Sequence, residues 1–306
     1  MRLRSCRPFS TSGVHRLPRL RLALLPLLAA VLALTVAACG SDEESSDESS
    51  PQTTASLDDC TPDQLETKSA GKLTVGTDKP AYPPYFEDND PSNGEGFESA
   101  VAYAIAETLG YAPDDVEWTV VPFNASYAPG PKDFDLDLNQ ISITPKRAQQ
   151  VDFSAPYYEA GQAVVALKSS DAAGATSLAD LADTSIGVQI GTTSLDAVNA
   201  SIQPSSEPQV FDTSNDVVSA LKNGQIDAVV VDVPTAFYLT AAQVPEATVV
   251  GQFAAPGGDT WGALLEKGSA LTPCISAAID ELDSSGELPS IEKQWMSEAT
   301  KAPVLQ

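Results

Sequence analysis

Histidine is missing from the chain after residue 15, and after Arg21 arginine appears once, as Arg147. Beyond the first residues, the histidine gap excludes histidine-dependent catalytic triads, zinc sites built on imidazole and imidazole proton shuttles. Cations are scarce altogether. Seventeen lysines and arginines face 42 carboxylates, for a formal net charge of −25. Six of those cations, Arg2, Arg4, Arg7, Arg16, Arg19 and Arg21, precede residue 22, while every carboxylate follows Cys39. From Cys39 onward the balance is ten lysines and one arginine against 42 acids, a formal −31. Such a charge repels nucleic acid and anionic headgroups. No nucleic-acid partner and no cofactor is expected. Long apolar runs are lacking too. The longest, "LALLPLLAAVLALTVAA", has 17 residues, short of the roughly 20 that span a bilayer as a helix.

What is present at the start is a basic leader, that apolar run and small residues, the pattern of a secretory signal. Val36-Ala37-Ala38-Cys39 resembles a bacterial lipobox. This implies a lipoprotein signal peptide over 1–38, cleavage before Cys39 and lipid attachment to its sulfur. The protein is then expected outside the cytoplasm, held to the outer face of the membrane by lipid alone; a retained transmembrane helix is the alternative. Cys60 and Cys274 remain as an even pair in an oxidising compartment, so a disulfide is expected, with two unpaired thiols as the alternative. The stretch "GSDEESSDESSPQTTASLDD", 40–59, has no apolar periodicity and is read as part of an acidic flexible tether over 39–67. Twenty such residues reach roughly 25 Å as a flexible coil.

About 240 residues follow, enough for two ordinary domains. Short apolar runs alternate with helical periods. "KLTVGT" and "VEWTVV" read as strands, and "GFESAVAYAIAETLG" as a helix with Val101, Ile105 and Leu109 on one face and Gly110 as its stop. "DFDLDLNQIS" alternates strictly, which predicts a strand with Asp133, Asp135 and Asp137 on a solvated side. A calcium loop is excluded there, because Leu138 and Thr144 stand where glycine and glutamate are required. Thr144 and Pro145 open a short helix. The second half repeats the alternation through "TSIGVQIGTTSLDAVNA", "FDTSNDVVSALKNG", "QIDAVVVD", "WGALLEKGS" and two late helices. The order implies α/β layers with mostly parallel pairing.

In such sheets ligands bind at the carboxyl ends of strands. Three segments reach that place. Asn139–Ser142 ends the alternating strand, with the Gln140 amide turned toward a crevice or a buried partner. Gly191-Thr192-Thr193 joins a strand to a helix, where free N–H groups suit a carboxylate; its hydroxyls either face that anion or cap the helix. Asp232 ends an apolar strand, where it either meets an ammonium group or caps the helix opened by Pro234. Arg147 carries a planar fork matched to a carboxylate; an ion pair with Asp152 is its structural alternative. Arginine and aspartate across one cleft describe a receptor for a free α-amino acid.

"VGTDKPAYPPYFEDND", "GFESAVAYAIAETLGY", "ISITPKRAQQVDFSAPYY", "IGVQIGTTSLD" and "ALKNGQIDAVVVDVPTAFYL" resemble the family-3 solute-binding proteins, the extracytoplasmic amino-acid-binding components of ABC importers, from about Gly71 to Met296. The resemblance implies an α/β, two-lobed fold of the type II periplasmic-binding-protein kind. Its discontinuous lobes, 68–160 with 256–306 and 161–255, would be joined by two hinge strands. It implies a monomeric receptor that hands a polar amino acid to a permease, without catalysis. By position, Arg147 is the α-carboxylate clamp. Gln140 and Ser142 are first-lobe polar contacts, Thr193 with Gly191 and Thr192 is the second-lobe carboxylate contact, and Asp232 is the α-ammonium partner. Tyr82 and Phe123 would wall the ligand side chain with Asp78 at the pocket edge, and Phe97 and Asn139 complete the candidate set. The chain departs from the family pattern by an extra residue between Asp78 and Tyr82, by Glu98 in place of aspartate, by Phe123 in place of a frequent tryptophan, and at Gln140-Ile141-Ser142. These departures fall where the side chain is read, so specificity does not transfer. Two rivals use the same fold: a cyclohexadienyl-dehydratase-like enzyme with Glu98 as general acid, and a ligand-sensing surface lipoprotein.

Overall fold

The chain forms two five-stranded sheets because its strands come in two sets, each able to bury both faces. The computed structural model describes residues 55–297 and 302–306. The expected signal peptide and Cys39 lie outside the described residues. In the first set, Leu73–Thr77 (β1) is buried at every position. It pairs in parallel with Val116–Val120 (β2) and Leu136–Asp137 (β3). Val151–Glu159 (β4) closes this sheet through Thr260–Glu266, a strand that returns late in the chain. Phe97–Thr108 (α1) lays Val101 and Ile105 on the sheet, and both are fully buried. The short helices Phe123–Ser126 (α2) and Pro145–Ala148 (α3) sit at the carboxyl side of the strands they follow. Thr144 accepts from the Arg147 N–H at 3.2 Å, as its predicted capping role requires.

After β4 the chain passes through Ala160-Gly161 into the second set, Gln162–Leu167 (β5), Ile186–Gln189 (β6), Gln209–Phe211 (β7), Ala228–Asp232 (β8) and Ala247–Phe253 (β9). Their order in the sheet is β7-β6-β8-β5-β9. Thr193–Ala197 (α4), Ser214–Lys222 (α5) and Val233–Tyr238 (α6) accompany this sheet, and apolar clusters cover its two faces. Residues 254–259 then lead back to Thr260–Glu266 (β10) in the first sheet, followed by Thr272–Ser284 (α7) and Glu287–Met296 (α8). The chain thus crosses between the sheets twice, next to each other, because β5 pairs antiparallel with β9 and β4 with β10.

Those crossings correct the expectation of mostly parallel pairing. β5 runs antiparallel to β8 and β9, and β10 antiparallel to β3 and β4, against four parallel pairings elsewhere. A strand that enters a lobe and one that leaves it must run in opposite directions. The solvated aspartate face holds at Asp133, which is exposed, and is corrected at the other two positions. Asp135 and Asp137 are buried, at 3% and 0% exposure. The Asp135 carboxylate accepts from the backbone N–H groups of Lys68 and Thr74 at 2.8 and 2.7 Å. The expected tether ends earlier than residue 67, since Leu57, Cys60 and Leu65 pack on the first core. The last residues leave the first lobe: Val304 bridges Gln252, and Leu305 is buried against the second sheet.

Cys60 and Cys274 are bonded, with Cα atoms 5.6 Å apart across 214 residues of sequence. The bridge pins the first described segment to α7. The double variant Cys60→Ser/Cys274→Ser is expected to lose about 2–5 kcal/mol of unfolding free energy, read from urea melts. Calorimetric ligand affinity should stay within about twofold, because the bridge lies outside the cavity described next.

Candidate ligand-binding site

The ends of strands from both sheets open onto one cavity of about 440 Å³ between the lobes. Of the residues expected there, Asp78, Tyr82, Phe123, Asn139, Gln140, Ser142, Arg147, Thr192, Thr193 and Asp232 line it. Two do not. Phe97 is fully buried in the first core, stacked near Tyr157 and Tyr158 with ring centroids at 6.0 and 5.3 Å. Its place at the start of α1 turns it into the sheet instead. Gly191 stands beside the cavity and contributes its carbonyl oxygen, not a ligand-facing group.

Arg147 is 7% exposed. Its guanidinium donates from Nη1 to the Ser142 carbonyl at 2.7 Å and from Nη2 to the Gly191 carbonyl at 3.0 Å. One residue thereby touches both lobes. It packs against the rings of Phe123 and Tyr127, at 5.5 and 4.8 Å from their centroids, a cation–π arrangement. Among the described residues no carboxylate forms an ion pair with it. Asp152, the alternative partner, is taken by Lys267 at 2.9 Å. The cationic fork therefore faces the cavity with its charge unneutralised by a paired acid.

Asp232 brings a carboxyl group to the cavity from the other lobe. It stands at the cap position of α6, yet its side chain makes no cap bond. Its Oδ1 accepts instead from Gln162 Nε2 at 2.7 Å. Burial, and then Asp259, push this carboxyl well above the usual carboxylate range. A cation set against it would reverse that cost. Thr192 is the true cap of α4, accepting from the Leu195 N–H at 3.4 Å. The Thr193 hydroxyl donates to Asp259 Oδ2 at 3.0 Å and lies 3.2 Å from Ser142 Oγ across the cleft. Asn139 Nδ2 is buried with no protein acceptor among the described residues.

Aromatic residues close the far side. Burial pushes the Tyr82 hydroxyl up to about 12, and it donates to Asn215 Oδ1 at 2.7 Å across the lobes. The Tyr85 and Thr235 hydroxyls pair at 2.8 Å in the same way. Asp78 accepts from the Phe123 N–H at 3.1 Å, which ties the pocket edge to its wall. Sequence reasoning missed Gln162, Asp259, Asn215, Thr235 and Tyr127. Gln162 left one signal, a polar residue opening the apolar strand "QAVVAL"; the others sit in loops or helix starts with ordinary composition.

Glu98 is fully buried and does not line the cavity. It accepts from the Gln140 N–H at 2.7 Å, from the Gln140 side-chain amide and from the Tyr157 hydroxyl. Gln140 reaches it from a left-handed backbone, φ 49°. The inward amide of Gln140 thus meets a buried partner. Burial raises Glu98 to about 7, only partly offset by these donors. No cluster of potential metal ligands occurs among the described residues.

The family model for bacterial extracellular solute-binding proteins, family 3, matches residues 73–298. The arginine-binding extracellular protein ArtP of Bacillus subtilis (strain 168) is 28% identical over 278 residues, covering 90% of this chain and 97% of its own. The solved structure of an ancestral arginine-binding protein bound to arginine superposes with a TM-score of 0.62 at 34% identity, covering 74% of this chain and 98% of that one. A second solved structure, the ancestral amino acid-binding protein AncCDT-1, a precursor of cyclohexadienyl dehydratase, gives 0.59 at 29% identity, covering 74% and 95%.

Two expectations follow from this geometry. Gly191 has φ +75°, and a Cβ there would overlap Tyr127 Oη and stand 2.9 Å from Asn124 Oδ1 on the facing lobe. Gly191→Ala should therefore strain the left-handed turn and displace the Tyr127 and Asn124 side chains, weakening ligand binding about tenfold by calorimetry. Glu98 sets a pH dependence. Its folded value, about 7, exceeds the ordinary 4.5, so between those values the folded chain holds more protons than the unfolded one. Stability then falls as pH rises from about 4.5 to about 7, by up to about 3 kcal/mol from this group. Urea midpoints at pH 5 and 7.5 should show that fall, and Glu98→Gln should reduce it.

Proposed function

The chain belongs to the bacterial extracellular solute-binding proteins of family 3, and we propose that it is the receptor of an amino-acid ABC importer. In this reading it captures a free polar α-amino acid outside the cell and delivers it to a permease. The observation that carries the reading is a guanidinium and a carboxylate, Arg147 and Asp232, lining one cavity from opposite lobes. They match the two charges of a zwitterion. The α-carboxylate meets Arg147, Ser142 and the backbone N–H groups in the first turn of α4. The α-ammonium meets Asp232. Tyr82, Phe123 and Tyr238 surround the side chain, with Asp78 and Asn124 as polar ends.

Binding begins on the first lobe at Arg147. The second lobe then closes, bringing Thr193 to Ser142 and Asn215 to Tyr82. Closure follows from the ligand's greater affinity for the joined lobes. The closed, loaded form is what the permease engages. Anchoring through lipid on Cys39 and a monomeric state belong to the same proposal.

The chain acts as a receptor without catalysis. The dehydratase reading placed Glu98 as general acid, and a general acid must reach the substrate. Here its oxygens are held by Gln140 and Tyr157, outside the cavity lining.

A thermal-shift screen of the twenty common L-amino acids should raise the melting point with a polar one, because binding to the folded state alone stabilises it. Arg147→Ala should then lose about 2–5 kcal/mol of binding free energy to that amino acid while its circular dichroism stays unchanged. Calorimetric affinity near that of the unaltered chain would defeat the assignment. Prephenate turnover detected by absorbance would favour the enzyme instead.

A further inference from the structure

Gln162 is fully buried and stands where the chain enters the second lobe. Its register in the sheet pairs it with Asp232 of β8. From Nε2 it donates to Asp232 Oδ1 and to Asp259 Oδ2, both at 2.7 Å, while its Oε1 accepts from Ser194 Oγ at 2.6 Å. Both N–H bonds and the carbonyl are used, so the orientation of the amide is determined by its partners. Asp259, 2% exposed, lies in the crossover by which the chain leaves the lobe. It accepts a second bond from Thr193 at 3.0 Å. One amide thus ties together the start of the entering strand, the end of the leaving crossover, the carboxylate at the end of β8 and the first turn of α4.

Without a donor between them, two buried carboxylates so close would repel and turn away from each other. A donor to both fixes the plane of each. Asp232 then keeps one oxygen on the amide while the residue lines the cavity.

We propose that Gln162 is a positioning residue, one that orients Asp232 to receive the ammonium group and couples its arrival to both crossovers through Asp259. The inference rests on the receptor reading. It goes beyond that reading by placing a determinant of affinity in the hinge instead of the cavity wall, since Gln162 does not line the cavity.

A double-mutant cycle tests it, using the tightest binder among the twenty common L-amino acids as the probe. Calorimetry or NMR titration gives affinities for the unaltered chain, Gln162→Met, Asp232→Asn and the double variant. Methionine keeps the side-chain length and removes all three bonds. If Gln162 acts through Asp232, Gln162→Met weakens binding about tenfold alone, and adds less than about threefold in the Asp232→Asn background. Losses that multiply in the double variant overturn the proposal, because they report a merely structural role. So does an affinity of Gln162→Met within about twofold of the unaltered chain. Should Gln162→Met not melt cooperatively, Ser194→Ala takes its place; it frees the amide and should weaken binding about threefold, but not in the Asp232→Asn background. An equal loss in both backgrounds overturns the proposal. If no amino acid binds the unaltered chain, the receptor reading falls first, and the inference falls with it.

Discussion

A guanidinium buried between two lobes without an acid of its own is the constraint on which the site depends. Arg147 is 7% exposed and gives its hydrogen bonds to two backbone carbonyls, one from each lobe. Carbonyl dipoles and the rings of Phe123 and Tyr127 soften the cost of burial but do not cancel a full charge. Asp232, on the other side of the cavity, has the converse problem. A zwitterion laid between the two would offset both burial costs at once. A singly charged molecule would satisfy one end and leave the other as it is, and a neutral one would neutralise neither.

How far this was legible in the sequence depended on whether a residue's role was local or distant. Thr144 before Pro145 signals a helix start from neighbours alone, and the structure has the cap. The apolar runs of β1 and β8 and the periodic face of α1 are likewise local signals. Arg147 was conspicuous by isolation, since a chain with so few cations keeps one arginine at a helix start after a predicted strand. Asp232 at the end of an apolar strand was conspicuous for the same reason.

What remained hidden was set by contacts far apart in sequence. Strict alternation at 133–138 reads as a one-sided strand, yet Asp135 bonds to the backbone of Lys68 and Thr74. Nothing near residue 135 reveals those donors. Phe97 sits next to a motif associated with the site, but the first turn of α1 aims it at Tyr157 and Tyr158. The antiparallel pairings arise because two crossovers run side by side, a fact about topology that alternation of strands and helices does not encode. Gln162 belongs to the same class, since its partners lie 32, 70 and 97 residues away.

Magnitudes decide what closes the jaw. The direct bonds between lobes are few: Arg147 to Gly191, Ser142 with Thr193, Tyr82 to Asn215 and Tyr85 with Thr235. Each replaces a bond to water, so each contributes only about 1 kcal/mol net. Set against them are the loss of hinge freedom and the burial of Arg147 and Asp232, which cost a comparable amount or more. Protein contacts alone therefore leave the two lobes near balance. Moving such an equilibrium from near balance to about 99:1 closed takes about 2.7 kcal/mol of differential binding, half of a full swing from mostly open. Hydrogen bonds to charged groups give about 1.5–3 kcal/mol each, so a carboxylate on Arg147 and an ammonium on Asp232 would supply that amount between them. Because the two groups line the cavity from opposite lobes, a ligand bearing both charges would collect it only when the lobes meet.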